Sequence, residues 1–183
     1  MFISLQQLEL EKVEFSQQLA PGKLQLGEDL RQSGALKTTG RAELLEEHRG
    51  GKKNIVEDIR VLGNFSTEVE IRCARCIEPV ATKVGGDFDV LYRPLGIDAG
   101  RDEHSISEAE TEIGYYSGDG IELEDVLREQ ILLALPLKVV CREDCRGICA
   151  GCGKNLNVEQ CACEGQPIDL RWRALADIKN KLK

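Results

Sequence analysis

The stretch IVEDIRVLGNFSTEVEIRCARCIEPVATKVGGDFDVLY, residues 55–92, decides the fold. Ile59, Val61, Phe65, Val69 and Ile71 fall on odd positions, and Arg60, Asn64, Ser66, Glu68, Glu70 and Arg72 on even ones. A side-chain period of two is that of a strand with one face buried. After Pro79 the alternation resumes with Val80, Thr82, Val84, Phe88, Val90 and Tyr92 on even positions, and Gly85-Gly86 inside it suggests a bulge or a bend. Two such runs joined by the short segment CARCIEP, residues 73–79, form a β-hairpin with a Cys-x-x-Cys pair at its tip.

Upstream, RGGKK is a turn signal, and the first 50 residues are expected to supply further strands, although AELLEEH reads equally as helix. Downstream, LGIDAGRDEHSISEAETEIGYYSGDG is acidic, Gly/Ser-rich and aperiodic: a solvated connection, or an acidic strip that meets a basic partner. ELEDVLREQILLAL, residues 122–135, then gathers Leu123, Val126, Leu127, Ile131, Ala134 and Leu135 on one helical face. Acidic residues suit its N-terminus, and Pro136 stops it. A last amphipathic segment starts at a capping Asp169.

The expected architecture is α+β: an antiparallel β-meander packed on one or two helices, with a Cys-rich zinc-binding C-terminal segment. The boundaries are a β-rich part with the Cys-x-x-Cys hairpin at 1–95, an acidic linker at 96–120, and a helix plus Cys-rich tail at 121–183.

The 183 residues carry 24 Lys+Arg against 32 Asp+Glu, a net charge of −8, which excludes a uniformly basic nucleic-acid binder but leaves room for a local basic patch. Aromatic residues, at 4%, are too few for a platform that stacks many bases. The first residues, MFISLQQLELEKVEF, lack the pattern of a signal peptide, and ILLALPL is too short to span a bilayer. The expected location is cytoplasmic, where clustered cysteines at short gaps bind metal more often than they form disulfides.

The eight cysteines are Cys73, Cys76, Cys141, Cys145, Cys149, Cys152, Cys161 and Cys163. Thiolates are soft, compact ligands, and four of them surround Zn²⁺ as a tetrahedron. Gly153, after Cys149-Ala150-Gly151-Cys152, can take the positive φ that such a knuckle needs. Two partitions remain open. Cys73 and Cys76 join one C-terminal pair, clipping the tail to the hairpin, or the C-terminal set alone builds one site; one or two structural Zn²⁺ ions result, with iron–sulfur ligation as the lesser alternative.

Catalytic arrangements are absent from the sequence. The histidines, His48 and His104, lie far from any cysteine in sequence. Gly147 to Lys154 is one residue too long for a phosphate loop, with Asn155 where Ser or Thr belongs. A thioredoxin-like use of Cys73 lacks the strand–helix context it needs. Basic residues do cluster around the cysteines, and Arg142, Arg146, Lys154, Arg171 and Arg173 are the candidates for gripping RNA or another partner. Their alternative role is to offset thiolate charge.

CARC, then Glu124, Asp125, Glu129, Ile131, Leu133 and Pro136, then CREDCRGICAGCGKNLN and CAC together resemble the YceD-like family of large ribosomal RNA subunit accumulation proteins. The resemblance covers the chain from about residue 30 onward. It implies a non-enzymatic factor supporting accumulation or processing of large-subunit ribosomal RNA. The implied partners are that RNA, a large-subunit ribosomal protein or an assembly intermediate, with no membrane. Some members lack most of these cysteines, which fits a metal that stabilises rather than reacts. The alternatives are a zinc-ribbon protein–protein adaptor without RNA contact and a metal- or redox-dependent RNA-processing enzyme.

Overall fold

The computed structural model describes residues 1–48, 55–97 and 113–163. The turn RGGKK, most of the acidic stretch with His104, and the last amphipathic segment with Arg171, Trp172 and Arg173 lie outside the described residues. The chain divides into two compact units: Met1–Ile71 with Ala81–Leu137, and Arg72–Val80 with Lys138–Lys183.

In chain order the elements are β1 (Phe2–Ser4), α1 (Leu5–Leu10), β2 (Val13–Leu19), β3 (Arg31–Gln32), β4 (Leu36–His48), β5 (Ile55–Arg72), β6 (Pro79–Pro94), β7 (Ile113–Tyr116), β8 (Gly120–Glu122) and α2 (Leu123–Leu133). The main sheet runs β2-β4-β5-β6-β7, with β3 pairing β5, and β1 and β8 form a separate two-stranded sheet. It is an α+β fold, with a mixed rather than purely antiparallel sheet, because β7 lies parallel to β6. A parallel neighbour requires a long crossover, and the stretch between Pro94 and Ile113 supplies the length.

The period-2 runs behave as their patterning dictates. Ile59, Val61, Phe65 and Val69 of β5 and Val84, Phe88 and Tyr92 of β6 are buried in one core cluster. The alternation passes through Gly85 and Gly86 without changing face, and Gly85 leaves room for the Phe65 carbonyl, which a Cβ would meet at 2.7 Å. AELLEEH belongs to β4, in unbroken register with β5 out to His48 opposite Ile55. The strand expected everywhere in the first 50 residues gives way at α1. There Ser4 and Gln7 cap each other reciprocally, Gln7 N–H to Ser4 Oγ at 3.3 Å and Ser4 N–H to Gln7 Oε1 at 3.2 Å.

Helix α2 buries Leu123, Val126, Leu127 and Ile131 in the same cluster, a spacing that puts all four on one stripe. Fully burying each such side chain contributes about 1.5–3 kcal/mol, so this stripe is the main link between helix and sheet. Tyr92 of β6 adds a polar tie, its hydroxyl donating to Glu129 Oε2 at 2.8 Å.

Gly40 of β4 faces Gly63 of β5 across the ladder, and Phe15 of β2 pairs with Gly40. A Cβ on Gly40 would lie 2.3 Å from the Leu62 carbonyl oxygen and 2.6 Å from the Phe15 ring; one on Gly63 would lie 2.5 Å from the Thr39 oxygen. Aromatic rings thus occupy the space that the two missing side chains leave. Gly40→Ala is expected to lower unfolding stability by about 2–3 kcal/mol, through overpacking against backbone that cannot yield. Urea unfolding measures this, and a loss under about 0.5 kcal/mol, the level of an ordinary surface change, would contradict it.

Candidate metal centre

Among its described residues, the second unit has little regular structure of its own. The hairpin tip and the tail are joined by backbone bonds, from Ala74 N–H to the Val139 carbonyl at 2.8 Å and from Ile148 N–H to the Arg75 carbonyl at 3.0 Å. Cys73, Cys76 and Cys145 are buried together, with Val80 and Val140 packed against them. Among the described residues this cluster consists of thiols and two valines, a small apolar interior of the kind that metal or disulfides commonly supplement.

All eight cysteines are free thiols. They assemble as two tetrads, Cys73, Cys76, Cys141, Cys145 and Cys149, Cys152, Cys161, Cys163, with the four sulfurs of each within 4.8 Å of one another. Cys76 and Cys141 sulfurs are 3.6 Å apart, Cys73 and Cys145 sulfurs 3.9 Å, and Cys149 and Cys161 sulfurs 3.5 Å. Four sulfurs at about 2.3 Å from a central Zn²⁺ define a tetrahedron with edges of about 3.8 Å. The separations match that figure and are far longer than the ~2.05 Å of a disulfide. Both tetrads could therefore hold a metal ion.

Local backbone geometry aims the sulfurs. Ile77, which follows Cys76, has φ 66°, and Gly153, which follows Cys152, has φ 74°. Glycine takes this conformation at no steric cost, whereas a β-branched side chain is strained in it. Ile77 is fixed there by its N–H to the Cys73 carbonyl at 3.0 Å, while Cys73 N–H reaches the Glu78 carbonyl at 2.8 Å.

The electrostatics within each tetrad are uneven. The Cys76 backbone N–H, helped by those of Arg75 and Cys141, outweighs burial and holds the Cys73 thiol down to about 6. The Cys152 and Gly151 N–H groups do the same for Cys149, also to about 6. Burial is the largest influence on Cys145, yet the Asn157 amide and Gly147 N–H override it and lower its pKa. Cys141 is pushed up to about 12, first by desolvation and then by its neighbouring sulfurs, and Cys163 to about 12 by the sulfurs of Cys152 and Cys149. Each metal-free tetrad thus combines thiols whose pKa is lowered with at least one whose pKa is raised, and metal entry must release protons.

Asn155 and Asn157, within the quoted motif but given no role from sequence, organise the surroundings. Asn157 donates to Cys145 Sγ at 3.3 Å and to Asn155 Oδ1 at 2.9 Å, and accepts the Arg146 N–H at 2.8 Å. Asn155 donates to Glu78 Oε1 at 3.2 Å, linking the tail to the tip. The visible signal was an amide side chain next to a thiolate motif, the usual partner of a ligand with spare lone pairs.

The basic candidates are more dispersed. Arg142 pairs with Asp144 at 3.3 Å and donates to Asn157 Oδ1 at 3.0 Å, Lys154 pairs with Glu159 at 3.0 Å, and the Arg146 side chain is exposed. Arg75, not singled out from sequence, donates to the carbonyls of Glu143 and Cys145 at 2.8 and 3.0 Å.

The class of protein is an α+β scaffold carrying two four-cysteine groups that could each hold a metal ion. More particularly, the chain belongs to the family described as Large ribosomal RNA subunit accumulation protein YceD, whose family model matches residues 61–179. That span contains most of β5, all of β6 with the tip between them, α2 and all eight cysteines. An uncharacterized protein of Mycobacterium tuberculosis (strain ATCC 25618 / H37Rv) is 31% identical over 126 residues, covering 69% of this chain and 58% of the relative. A maize protein named large ribosomal RNA subunit accumulation protein YCED homolog 1, chloroplastic, is 26% identical over 148 residues, with 68% of this chain and 49% of the relative covered. Its Arabidopsis thaliana counterpart is 23% identical over 146 residues, with 68% and 46% covered. The chain thus spans about half the length of the curated relatives it matches. No solved structure matches it. Among the described residues no helix is long and apolar enough to cross a membrane.

Two outcomes follow from the geometry. In metal-free protein near pH 7, iodoacetamide should modify Cys149 well before Cys163, with the Cys149 rate climbing as pH rises through about 6, where its thiolate forms; peptide mass spectrometry reads the order, and equal rates would contradict it. Asn157→Ala should weaken metal binding at the Cys73 tetrad about 10–100-fold, as measured by chelator competition.

Proposed function

We propose that the chain is a non-enzymatic factor supporting accumulation or processing of large-subunit ribosomal RNA, with structural Zn²⁺ in the Cys73 tetrad and in the Cys149 tetrad. Membership of the YceD family carries the ribosomal part of this reading, together with the printed names of the maize and Arabidopsis relatives. The sulfur separations and the all-thiolate ligand sets support the zinc. Catalytic zinc commonly keeps a coordination position open for water or substrate, whereas four thiolates fill a tetrahedron, so the metal's role is to hold the fold. The proposed location is cytoplasmic, and the proposed partner is ribosomal RNA, a large-subunit ribosomal protein or an assembly intermediate. Residues 1–95, 96–120 and 121–183 are in this reading parts of one family domain, with β7 and the first residue of β8 drawing the end of the acidic stretch into the sheets.

A second reading, a protein–protein adaptor without RNA contact, is favoured by a specific observation. Two of the basic candidates, Arg142 and Lys154, are engaged by Asp144 and Glu159. Among the described residues of the unit, Arg72, Arg75, Lys138, Arg142, Arg146 and Lys154 face Glu78, Glu143, Asp144 and Glu159. Each Zn²⁺ with four thiolates adds a formal −2, turning that surplus of two positive charges into a deficit of two.

Reversing Arg142, Arg146 and Lys154 to Glu separates the readings. On the RNA reading, binding of large-subunit RNA falls by about tenfold or more and the salt dependence of any residual binding flattens by up to three phosphate contacts. Filter binding across a salt series measures it, with zinc content as the folding control. Undiminished binding, or none in the parent protein, would favour the adaptor.

A further inference from the structure

The two tetrads share their chemistry and differ in everything around it. Cys73, Cys76 and Cys145 are 2, 4 and 5% exposed, and Cys141 is the one exposed ligand of that tetrad. In the other tetrad no cysteine is buried, and Cys152 and Cys163 are exposed. Polar support divides the same way. In the first tetrad, Cys73 accepts the N–H groups of Arg75 at 3.5 Å and Cys141 at 3.4 Å, and Cys145 accepts the Asn157 amide at 3.3 Å. In the second, among the described residues, such support falls on Cys149 alone, from Gly151 at 3.4 Å and from Cys152.

Chain connectivity adds a third difference. Ligands of the first tetrad come from segments 65 residues apart in sequence, as with Cys76 and Cys141, so opening it must part the hairpin tip from the tail. The second tetrad draws all its ligands from residues 149–163. Opening there involves one short segment, and small local openings generally require less free energy than those that part distant stretches of chain.

We infer that the Cys149 tetrad is an exchange site, which takes up a thiophilic d¹⁰ cation such as Zn²⁺ and yields it to a competing thiolate or chelator, while the Cys73 tetrad keeps its ion. This rests on the zinc reading given above. Exchange proceeds by substitution: an incoming donor bonds to the cation as an exposed sulfur, Cys152 or Cys163, leaves. The freed thiolate takes a proton from water, and the zinc stays divalent throughout. In the Cys73 tetrad three of the four sulfurs are buried and only Cys141 is exposed, so an incoming ligand finds one point of approach there, and the ion stays held by the three buried thiolates.

The test uses the full chain loaded with two equivalents of Zn²⁺ and an excess of the chromogenic chelator 4-(2-pyridylazo)resorcinol near neutral pH. One equivalent should leave about tenfold or more faster than the other. In the Cys152→Ser/Cys163→Ser variant the fast equivalent should vanish, with the slow rate unchanged. Because that variant could fold poorly, the unaltered chain loaded with ¹¹³Cd²⁺ gives an independent readout. Limiting chelator should erase one of two cadmium signals first, the one coupled to the β-protons of Cys149, Cys152, Cys161 and Cys163. Release of both ions in one phase, or first loss of the signal coupled to Cys73, overturns the inference alone. A chain that binds no zinc overturns the zinc reading, and the inference with it.

Discussion

Everything distinctive about this protein depends on four sulfurs from two distant stretches of chain meeting at one point. Cys73 and Cys76 sit where β5 turns into β6, and Cys141 and Cys145 follow α2. The sulfurs repel as thiolates and resist desolvation as thiols, so their approach to 3.6–3.9 Å needs a compensating charge. A cation at the centre, as proposed above, would resolve both penalties at once. The surrounding N–H groups, the strained Ile77 and the Asn155–Asn157 network are arranged around that requirement, each fixing a sulfur or the backbone beside it.

The main strands and α2 were legible because their signals are long and redundant. β5 and β6 alternate over many residues, and α2 combines an apolar stripe, acidic first turn and terminal proline. α1 has six residues, too few to display a helical period, and only the Ser4–Gln7 capping pair marked it. β7, IGYY, is equally short, and nothing local in it states that it will lie parallel to β6. The cysteine pairs could be read from their spacing, but which pairs meet depends on the tip-to-tail contact, which spacing does not encode.

The charge pattern takes on a different sense beside the geometry. A cluster of arginines and lysines near cysteines reads from sequence as a surface ready for phosphate. In the structure Arg142 is tied to Asp144 and Asn157, and Arg75 spans the carbonyls of Glu143 and Cys145. These side chains fasten loops whose backbones would otherwise have few partners. Guanidinium groups, with five donors in a planar fork, are suited to that work. Basic residues beside a thiolate module therefore have two competing uses, and only their hydrogen bonds distinguish them.

The pairing of β1 with β8 bears on how the chain is made. Phe2, Ile3 and Ser4 find their partners only at Glu122, Ile121 and Gly120. During synthesis, therefore, the first strand emerges long before the strand it must pair with, and the fully buried Ile3 has no final resting place for most of that interval. Contacts this distant in sequence slow folding and leave apolar surface open to wrong partners. A chain with this topology completes its first unit only once the residues up to Leu137 have been made, which makes the nascent state the one most in need of protection by chaperones.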